Sequence, residues 1–378
     1  PPTAWCVGPD GKFSVVGGLA LALHACGESA PLVDLKQAVV LPGFIDSHLH
    51  LLYGGHQLAR PSLALCTSPA DVVSTLQAFL ADHPLPAGAW LQGFGWDQER
   101  FTSRRFPSRA DLDPAFPHTP LFLTRIDGHA AWVNSAALRL APPLPSYDPR
   151  GGTIRRDSSG QPTGILTDSA MPLIAAHIPP PTYAQATEAL SLATGLLSRH
   201  GVTSIHDPGI GLEEVPLLLD AIDNGSFPIR SYAMYLANGA DGGERLARPD
   251  SPKLENYKGR LSVKAVKFFL DGALGSRGAA LLSNYSDRPS QRGELRLNES
   301  SFTKRAEEWI RAGWQVATHA IGDRANRIVL GVYERACATV SQPADLRLRI
   351  EHFQIVNSSD ASQACHQLFL HSSVVVNP

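Results

Sequence analysis

The stretch LPGFIDSHLH, residues 41–50, decides the fold assignment of this 378-residue chain. Its apolar start and short turn pair predict a buried strand that ends in two histidines, His48 and His50. Alternate residues of an extended strand share one face, so the two imidazoles are expected to point the same way. That geometry suits two ligands of one metal ion. Two hydrogen-bonded histidines beside a core would give the same pattern, so the ends of later strands must decide.

The composition is that of a globular protein that can bury one large core or two smaller ones. Hydrophobic residues make up 43% of the chain, and the formal net charge is only -2. Without a broad basic field, nucleic acid and anionic membrane surfaces are not expected as partners. No apolar run approaches the length that spans a membrane.

The cysteines predict thiols rather than disulfides. There are five of them, and they are scattered without a metal-binding spacing, at Cys6, Cys26, Cys66, Cys337 and Cys365. An odd, unpatterned set favours reduced side chains and a cytoplasmic compartment. The chain opens with Pro1-Pro2 and no initiator Met, so a targeting segment could precede it.

The chain changes character along its length. Residues 1–40 predict short strands, KFSVVGGLALAL and APLVDLKQAVV. Residues 51–180 predict an inserted α+β region: Ser68-Pro69 opens a helix, AWLQGFGWD and PLFLTRIDGHAAWV are strands, and GTIRRDSSGQPTGIL is a hairpin across residues 158–160. No regular strand-helix alternation occurs there, which is why the region is interpreted as an insertion.

Regular alternation of strands and helices begins at residue 181. The predicted strands are GVTSIHD, PIRSYAMYLA, VKAVKFFLDG, WQVATHAIGD, RLRIEHFQIV and SSVVVNP, with helices between them. This order predicts parallel strands joined by right-handed crossovers. Two architectures satisfy it, a closed (β/α)8 TIM barrel and an open doubly wound sheet.

Polar residues at the ends of the predicted strands favour the barrel. In a TIM barrel, reactive side chains gather at the C-terminal mouth of the strands. Four strands deliver nitrogen or oxygen donors there, at His48, His50, Lys267, Asp271, His319, Asp323 and His352. An open dinucleotide-binding sheet would need a glycine-rich phosphate turn, and no GxGxxG follows a strand.

The motifs resemble those of the amidohydrolase superfamily, and within it the branch of N-substituted formamide deformylases. The matching segments occur in one order along the chain: PGFIDSHLHL, FGWD, GHAAWVNSAAL, GILTDSA, GVTSIHDPG, VKFFLDGALGSRGAAL, ATHAIGD and RIEHFQ. The resemblance implies a partial β-sandwich domain at 1–40, the first barrel strand at 41–50, an inserted domain over the active site at 51–180, and barrel strands two to seven at 181–378.

The resemblance also implies a binuclear metal site. His48 and His50 would hold one ion, His319 and His352 a second, and Lys267 would bridge them as a carbamate; Lys267, His319 and His352 form the implied catalytic set. Zinc is the default ion, with manganese, iron or nickel as alternatives. Carbamate formation requires a neutral amine, which burial favours. Lys264 is the competing candidate, but it lies three residues away, on the opposite face of the strand, where a solvated or helix-facing lysine is expected.

Other residues are candidates for substrate contact or for support. His129 in the insertion could bond a substrate carbonyl or serve as a cap. Arg277, with Ser276, could meet a carbonyl or carboxylate. Trp96 and Phe94 could line an apolar pocket or simply pack. Supporting or capping roles are expected for Asp271 and Asp323, and His206 at the end of the second strand could also support the site.

The implied reaction is hydrolysis of a non-peptide, amide-like carbon–nitrogen bond of a small molecule by metal-bound hydroxide. The strand count, however, reaches seven at SSVVVNP. On that count, the eighth strand and the Asp that the family carries at its end are missing from residues 1–378, as is a C-terminal β segment. A truncated or catalytically impaired relative with a binding or regulatory role therefore remains the alternative.

Overall fold

The computed structural model describes residues 3–27, 29–36, 38–86, 88–149, 152–168, 170–238, 247–275, 277–339 and 346–367. The predicted seventh strand, SSVVVNP, and the candidate residue Ser276 lie outside these ranges. Two units are separable by their internal contacts, Pro1–Pro42 and Gly43–Pro378.

The first unit is a two-stranded antiparallel sheet with a helix. It consists of β1 (Ala4–Val7), β2 (Phe13–Gly17) and α1 (Leu19–Cys26). Part of the predicted strand KFSVVGGLALAL is therefore wrong, because LALAL belongs to α1. Short apolar runs fit either helical or extended periodicity, so the pattern alone could not decide.

A disulfide joins Cys6 and Cys26 in this unit. The prediction of five reduced thiols was wrong for this pair, while Cys66 and Cys337 are free. The reason is tertiary: α1 follows the hairpin and returns Cys26 to β1, which no spacing rule for cysteines reveals.

The second unit alternates strands and helices. Its strands are β3 (Phe44–Asp46), β4 (Leu91–Trp96), β5 (Leu121–Arg125), β6 (Ala130–Val133), β7 (Gly152–Arg156), β8 (Pro162–Asp168), β9 (Val202–Ile210), β10 (Arg230–Leu236), β11 (Leu254–Tyr257), β12 (Leu261–Phe269), β13 (Gln315–Ala320) and β14 (Arg349–His352). Its helices are α2 (Leu51–Leu58), α3 (Pro69–Asp82), α4 (Arg109–Leu112), α5 (Ser135–Leu140), α6 (Pro172–Ala175), α7 (Tyr183–Arg199), α8 (Glu214–Asp223), α9 (Glu299–Arg311), α10 (Asp323–Thr339) and α11 (Ser358–Gln367).

The larger sheet has six parallel strands in the order β3-β9-β10-β12-β13-β14, with β11 antiparallel beside β12. These are the first six predicted barrel strands in chain order, and helices connect most of them. Apart from β11, each strand pairs with its predecessor in this series, as successive right-handed crossovers require. The predicted alternation is confirmed over the described residues.

This sheet is curled. Its order puts β3 and β14 at opposite edges, and in a flat sheet five spacings of about 4.8 Å would part them by about 24 Å. Yet the Nη2 atom of Arg349 on β14 donates to the carbonyl of Ser47, just after β3, over 2.9 Å. The first and sixth parallel strands therefore face each other across a concave interior. This curvature is that of a TIM-like barrel wall and not of an open doubly wound sheet.

The first barrel strand, predicted within residues 41–50, differs from its prediction. β3 covers only Phe44–Asp46, and the side chains of Phe44 and Ile45 are 69% and 65% exposed rather than buried. It pairs with β9 on one side, and no described strand lies on the other side. An apolar run cannot by itself reveal whether its strand lies at the edge of a sheet.

The region 51–180 contributes a second, five-stranded sheet in the order β4-β5-β6-β8-β7. The run PLFLTRIDGHAAWV, predicted as one strand, is a hairpin, because Gly128 turns the chain at a φ of +76° between β5 and β6. β7 and β8 form the predicted hairpin across residues 158–160. This sheet has its own core around Trp96 and Trp132. Among the described residues, no helix has the length and apolar character needed to cross a membrane.

Candidate metal centre

Four imidazoles from three strand ends lie together on the concave side of the larger sheet. The ring centroids of His48 and His352 are 4.9 Å apart, those of His319 and His352 4.5 Å, and those of His48 and His50 5.4 Å. Along the chain these residues are separated by as many as 304 positions. The structure therefore brings together all four histidines predicted to ligate metal.

A tight turn after β3, rather than an extended strand, presents the first two histidines. The carboxylate of Asp46 accepts the backbone N–H of His48 at 3.0 Å, and the N–H of Leu49 donates to the carbonyl of His206 at 3.0 Å. The rings of His48 and His50 are nearly perpendicular, with an interplanar angle of 83°. The two side chains thus reach one cluster, although the predicted strand alternation does not extend to them.

His352 reaches the cluster through an unusual backbone conformation. Glu351 precedes it and already points into the interior, so regular alternation would turn the His352 ring away. His352 instead has a φ of +75° and Phe353 one of +45°, a region that bulky residues rarely occupy. Such strain at the end of a strand is typical of functional sites, where the surrounding structure holds it in place.

Lys267 on β12 is the buried amine of the cluster. Its side chain is 0% exposed, and its Nζ has no hydrogen-bond partner within the described part of the chain. Burial lowers the pKa of Lys267 to about 8, against the opposing effect of the Glu351 carboxylate. Lys264, by contrast, lies on the outer face and pairs with Glu255 at 3.3 Å, as predicted.

Burial favours the neutral form of three imidazoles of the cluster, those of His50, His319 and His352. Burial, followed by the charge of Lys267, lowers the pKa of His50 to about 3 and that of His352 to about 4. The same two causes place the pKa of His319 well below its ordinary value. A neutral imidazole offers one nitrogen lone pair, which is the form that binds a metal ion.

Two acidic residues behind the strand ends brace the backbone. Asp271 is buried and accepts the backbone N–H groups of Ala280, Ile321 and Gly322 over 2.8–3.0 Å, and it lies 3.4 Å from Nε2 of His319. Asp323 accepts from the N–H groups of Leu282 and Arg324 at the start of α10. These contacts agree with the predicted supporting and capping roles.

A buried charged pair beside His48 escaped the sequence analysis. Glu351 is 0% exposed, and its Oε2 lies 2.5 Å from Nδ1 of His48. Arg349 binds the same carboxylate through Nε at 2.6 Å and contacts Nδ1 of His206 at 2.6 Å. The motif RIEHFQ contained both residues, and their alternate spacing on one strand was the available signal.

The donor set fits a divalent cation that prefers nitrogen and oxygen ligands. Within the described residues, no group of three or more His, Cys, Asp or Glu side chains is placed so that it could hold a metal ion. A complete ligand set would need a further donor such as Lys267, whose buried Nζ lacks a partner there and which would present two oxygens as a carbamate. Neutral imidazoles with such an oxygen donor suit zinc and its neighbours among the transition metals.

The predicted substrate residues lie in three different settings. Trp96 is 0% exposed, and its indole N–H donates to the carbonyl of Leu123 at 2.7 Å, so its contacts are those of a packing residue of the insertion. Half-buried His129 lies in the turn between β5 and β6, where its N–H donates to the Asp127 carboxylate. Arg277 follows β12 with a φ of +63° and pairs with Asp287.

Three curated relatives are similar to this chain over most of its length. Protein LONG AFTER FAR-RED 3 of Arabidopsis thaliana is 33% identical over 94% of this chain and 61% of its own length. YtcJ of Bacillus subtilis (strain 168), assigned to the amidohydrolases, is 34% identical over 80% of this chain and 57% of its own length. The N-substituted formamide deformylase of Arthrobacter pascens is 27% identical over 97% of this chain and 68% of its own length. The chain thus spans about three fifths of the length of the first two relatives.

A solved structure and a family model agree with these relatives. An uncharacterized metal-dependent hydrolase from Pyrococcus horikoshii OT3 superposes with a TM-score of 0.74 at 25% identity, over 97% of this chain and 69% of its own. Residues 32–368 match the model of the amidohydrolase family. The resemblance inferred from the motifs is confirmed: the chain belongs to the amidohydrolase family.

Proposed function

We propose that this protein is a metal-dependent hydrolase that cleaves a non-peptide, amide-like carbon–nitrogen bond of a small molecule. The observation that carries the proposal is the buried Nζ of Lys267, which lacks a partner within the described residues and lies in a cluster of four imidazoles, where burial lowers the pKa of His50 and of His352. Burying an amine without a hydrogen-bond partner costs folding free energy. A role as a metal ligand after carbamate formation would explain why the chain keeps a lysine there.

In this proposal, His48 and His50 would hold one divalent ion, His319 and His352 would hold a second, and carbamylated Lys267 would offer oxygen donors to both. The neutral amine of Lys267 attacks the carbon of CO2, so that an N–C bond forms, one C=O electron pair moves to oxygen, and the nitrogen releases a proton. With a pKa of about 8, about a tenth of the amine is neutral at pH 7. The product is an anion with two oxygen donors.

Zinc, or alternatively manganese, iron or nickel, would supply a Lewis acid and lower the pKa of water in this site. The chain's own contribution is to keep His50, His319 and His352 neutral and to fix all four imidazoles at strand ends. Arg277 and His129 are proposed to contact the substrate carbonyl or carboxylate. The contacts of Trp96 leave it with a packing role.

The architecture proposed for the whole protein is a closed (β/α)8 barrel. The curled sheet of six parallel strands would supply most of its wall. We also propose that residues 51–180 form an inserted domain over the mouth and that residues 1–40 belong to a partial β-sandwich.

The test is amine release from small amides by metal-loaded protein. N-substituted formamides come first, because one relative is named for that activity, followed by other acylated amines. Metal content is measured in parallel by mass spectrometry. We expect turnover of at least one substrate and about two ions per chain.

Lys267→Ala and Lys264→Ala form a matched pair, since the two lysines share β12 but not a face. Loss of a residue that only hydrogen-bonds to a metal ligand can lower activity by a factor of about 100. Because Lys267 is proposed to be a ligand itself, Lys267→Ala should lower the rate by more than that. Lys264→Ala should leave the rate unchanged. A folded wild-type protein that binds metal and cleaves no amide would favour the binding or regulatory alternative.

A further inference from the structure

Glu351 contacts His48 across the concave interior of the sheet, from the opposite edge strand. The distance between Glu351 Oε2 and His48 Nδ1 is 2.5 Å, and the two residues are 303 positions apart in sequence. The Glu351 side chain is fully buried. The proposed hydrolysis assigns it no part, so its burial and its contact call for an explanation.

The direction of this hydrogen bond follows from the other partner of Glu351. Arg349 donates from Nε to Oε1 at 2.6 Å and from Nη2 to Oε2 at 3.1 Å. A guanidinium only donates hydrogen bonds, so both carboxylate oxygens act as acceptors. Oε2 therefore accepts from His48 as well, which places a ring proton on Nδ1. A singly protonated ring then carries its lone pair on Nε2.

Arg349 is itself immobilised by two further contacts. Its Nη2 donates to the Ser47 carbonyl at 2.9 Å, and its Nη1 lies 2.6 Å from Nδ1 of His206, which must accept. The side chain is 3% exposed. A single buried guanidinium thus ties β14, β9 and the turn after β3 together, so the Glu351 carboxylate has one fixed position relative to His48.

We propose that Glu351 is a positioning residue that fixes the His48 ring with its proton on Nδ1 and its Nε2 free to bind a divalent ion, with Arg349 holding Glu351 in place. This inference rests on the proposed function, since it concerns the same metal site. Carboxylates commonly fix metal-binding imidazoles in this way, and loss of such a partner costs about 10–100-fold in metal affinity.

The experiment compares Glu351→Gln with Asp360→Asn. Asp360 is also a buried carboxylate that accepts from an arginine, Arg327 at 3.0 Å, but no histidine contact is described for it. Zn²⁺ affinity is measured by chelator competition on the whole purified protein. We expect about a 10–100-fold loss for Glu351→Gln and none for Asp360→Asn.

The outcomes separate the two proposals. Wild-type protein that takes up no Zn²⁺ would overturn the proposed function and this inference with it. Wild-type protein that binds Zn²⁺, together with a Glu351→Gln variant that binds equally well, would overturn the inference alone.

A measurement on the wild type keeps the inference testable if Glu351→Gln does not fold. In metal-free protein with ¹⁵N-labelled histidine, ring correlations report which nitrogen carries the proton, and His48→Asn assigns the signal. We expect protonated Nδ1 and bare Nε2 on His48 at pH 7. A ring protonated on Nε2 would overturn the inference, and a purely structural Glu351 would not fix the tautomer.

Discussion

The Nζ atom of Lys267 lies 4.4 Å from the centre of the Phe269 ring, two residues further along β12 on the same face. No hydrogen bond to this Nζ is described, so its attractive partners are the ring face and the negative charges of Glu351 and Asp207. A desolvated contact with a ring face is worth about 2 kcal/mol or somewhat more, which is less than the several kcal/mol that burial of an ammonium group costs. The native state therefore carries a destabilising charge at this position.

Lys267→Met is expected to stabilise the metal-free protein at pH 7. The pKa of Lys267 falls from 10.5 to about 8 on folding, which corresponds to about 3 kcal/mol. The folded state binds fewer protons than the unfolded state between these values, so wild-type stability rises as pH increases from 8 to 10.5. Urea unfolding in CO2-free buffer at pH 7 and pH 10.5 checks this. Lys267→Met should raise the free energy of unfolding by the full amount at pH 7 and by almost nothing at pH 10.5.

Gly55 on α2 sets the distance between this helix and α7. A Cβ at this position would lie 2.1 Å from the backbone carbonyl oxygen of Ala189, so Gly55→Ala must push the helices apart. Because α2 begins directly after His50, the displacement also reaches the imidazole cluster. We expect a loss of about 1–3 kcal/mol in the free energy of unfolding and weaker Zn²⁺ binding.

Gly54→Ala is the control for that change. It lies in the same helix, and a Cβ there meets no heavy atom within 4 Å. Removing a helical glycine should stabilise the protein by about 1 kcal/mol. If chemical denaturation gave the same change in the free energy of unfolding for both variants, the close approach of α2 and α7 at Gly55 would not determine stability there.

Much of the barrel wall was predictable from the sequence, because helical and extended periodicities alternate clearly after residue 181. The identity of the four clustered histidines was predictable too, since each follows a β-rich run. The contact between His48 and Glu351 was not, because sequence order places their strands at opposite edges and only the curl joins them. The left-handed conformation of His352 was equally hidden, since tertiary packing imposes it against the local preference of the residue.

The Cys6–Cys26 disulfide predicts the number of titratable thiols. Under denaturing conditions without reductant, thiol titration should find at least two fewer thiols than the five cysteines of the chain. Cys26→Ser should then yield one more thiol than the wild type, since Cys6 loses its partner. Five thiols in unreduced wild-type protein would contradict the disulfide.

Asp271 binds backbone N–H groups of the loops beside His319. Its removal should therefore lower the free energy of unfolding by more than removal of Asp323. Asp271 accepts three buried backbone N–H groups, and Asp271→Ala leaves all of them without an acceptor, at a cost of about 3 kcal/mol or more. Asp323→Ala removes an acceptor for two N–H groups from a less buried side chain, so a loss of about 1 kcal/mol is expected. Urea unfolding of both variants at pH 7.5 gives the comparison.

The pH dependence provides a second check on Asp271. Burial raises its pKa to about 6, only partly offset by the three N–H donors, so the folded state binds more protons than the unfolded state between pH 3.8 and 6. The contribution of Asp271 to stability is therefore largest below pH 3.8 and decreases as pH rises through 6. The difference in stability between wild type and Asp271→Ala should shrink over that interval by an amount on the order of 2–3 kcal/mol. A difference that instead grows from pH 4 to pH 7 would mean that the N–H donors outweigh burial and that Asp271 is a fully ionised anchor for the loops around His319.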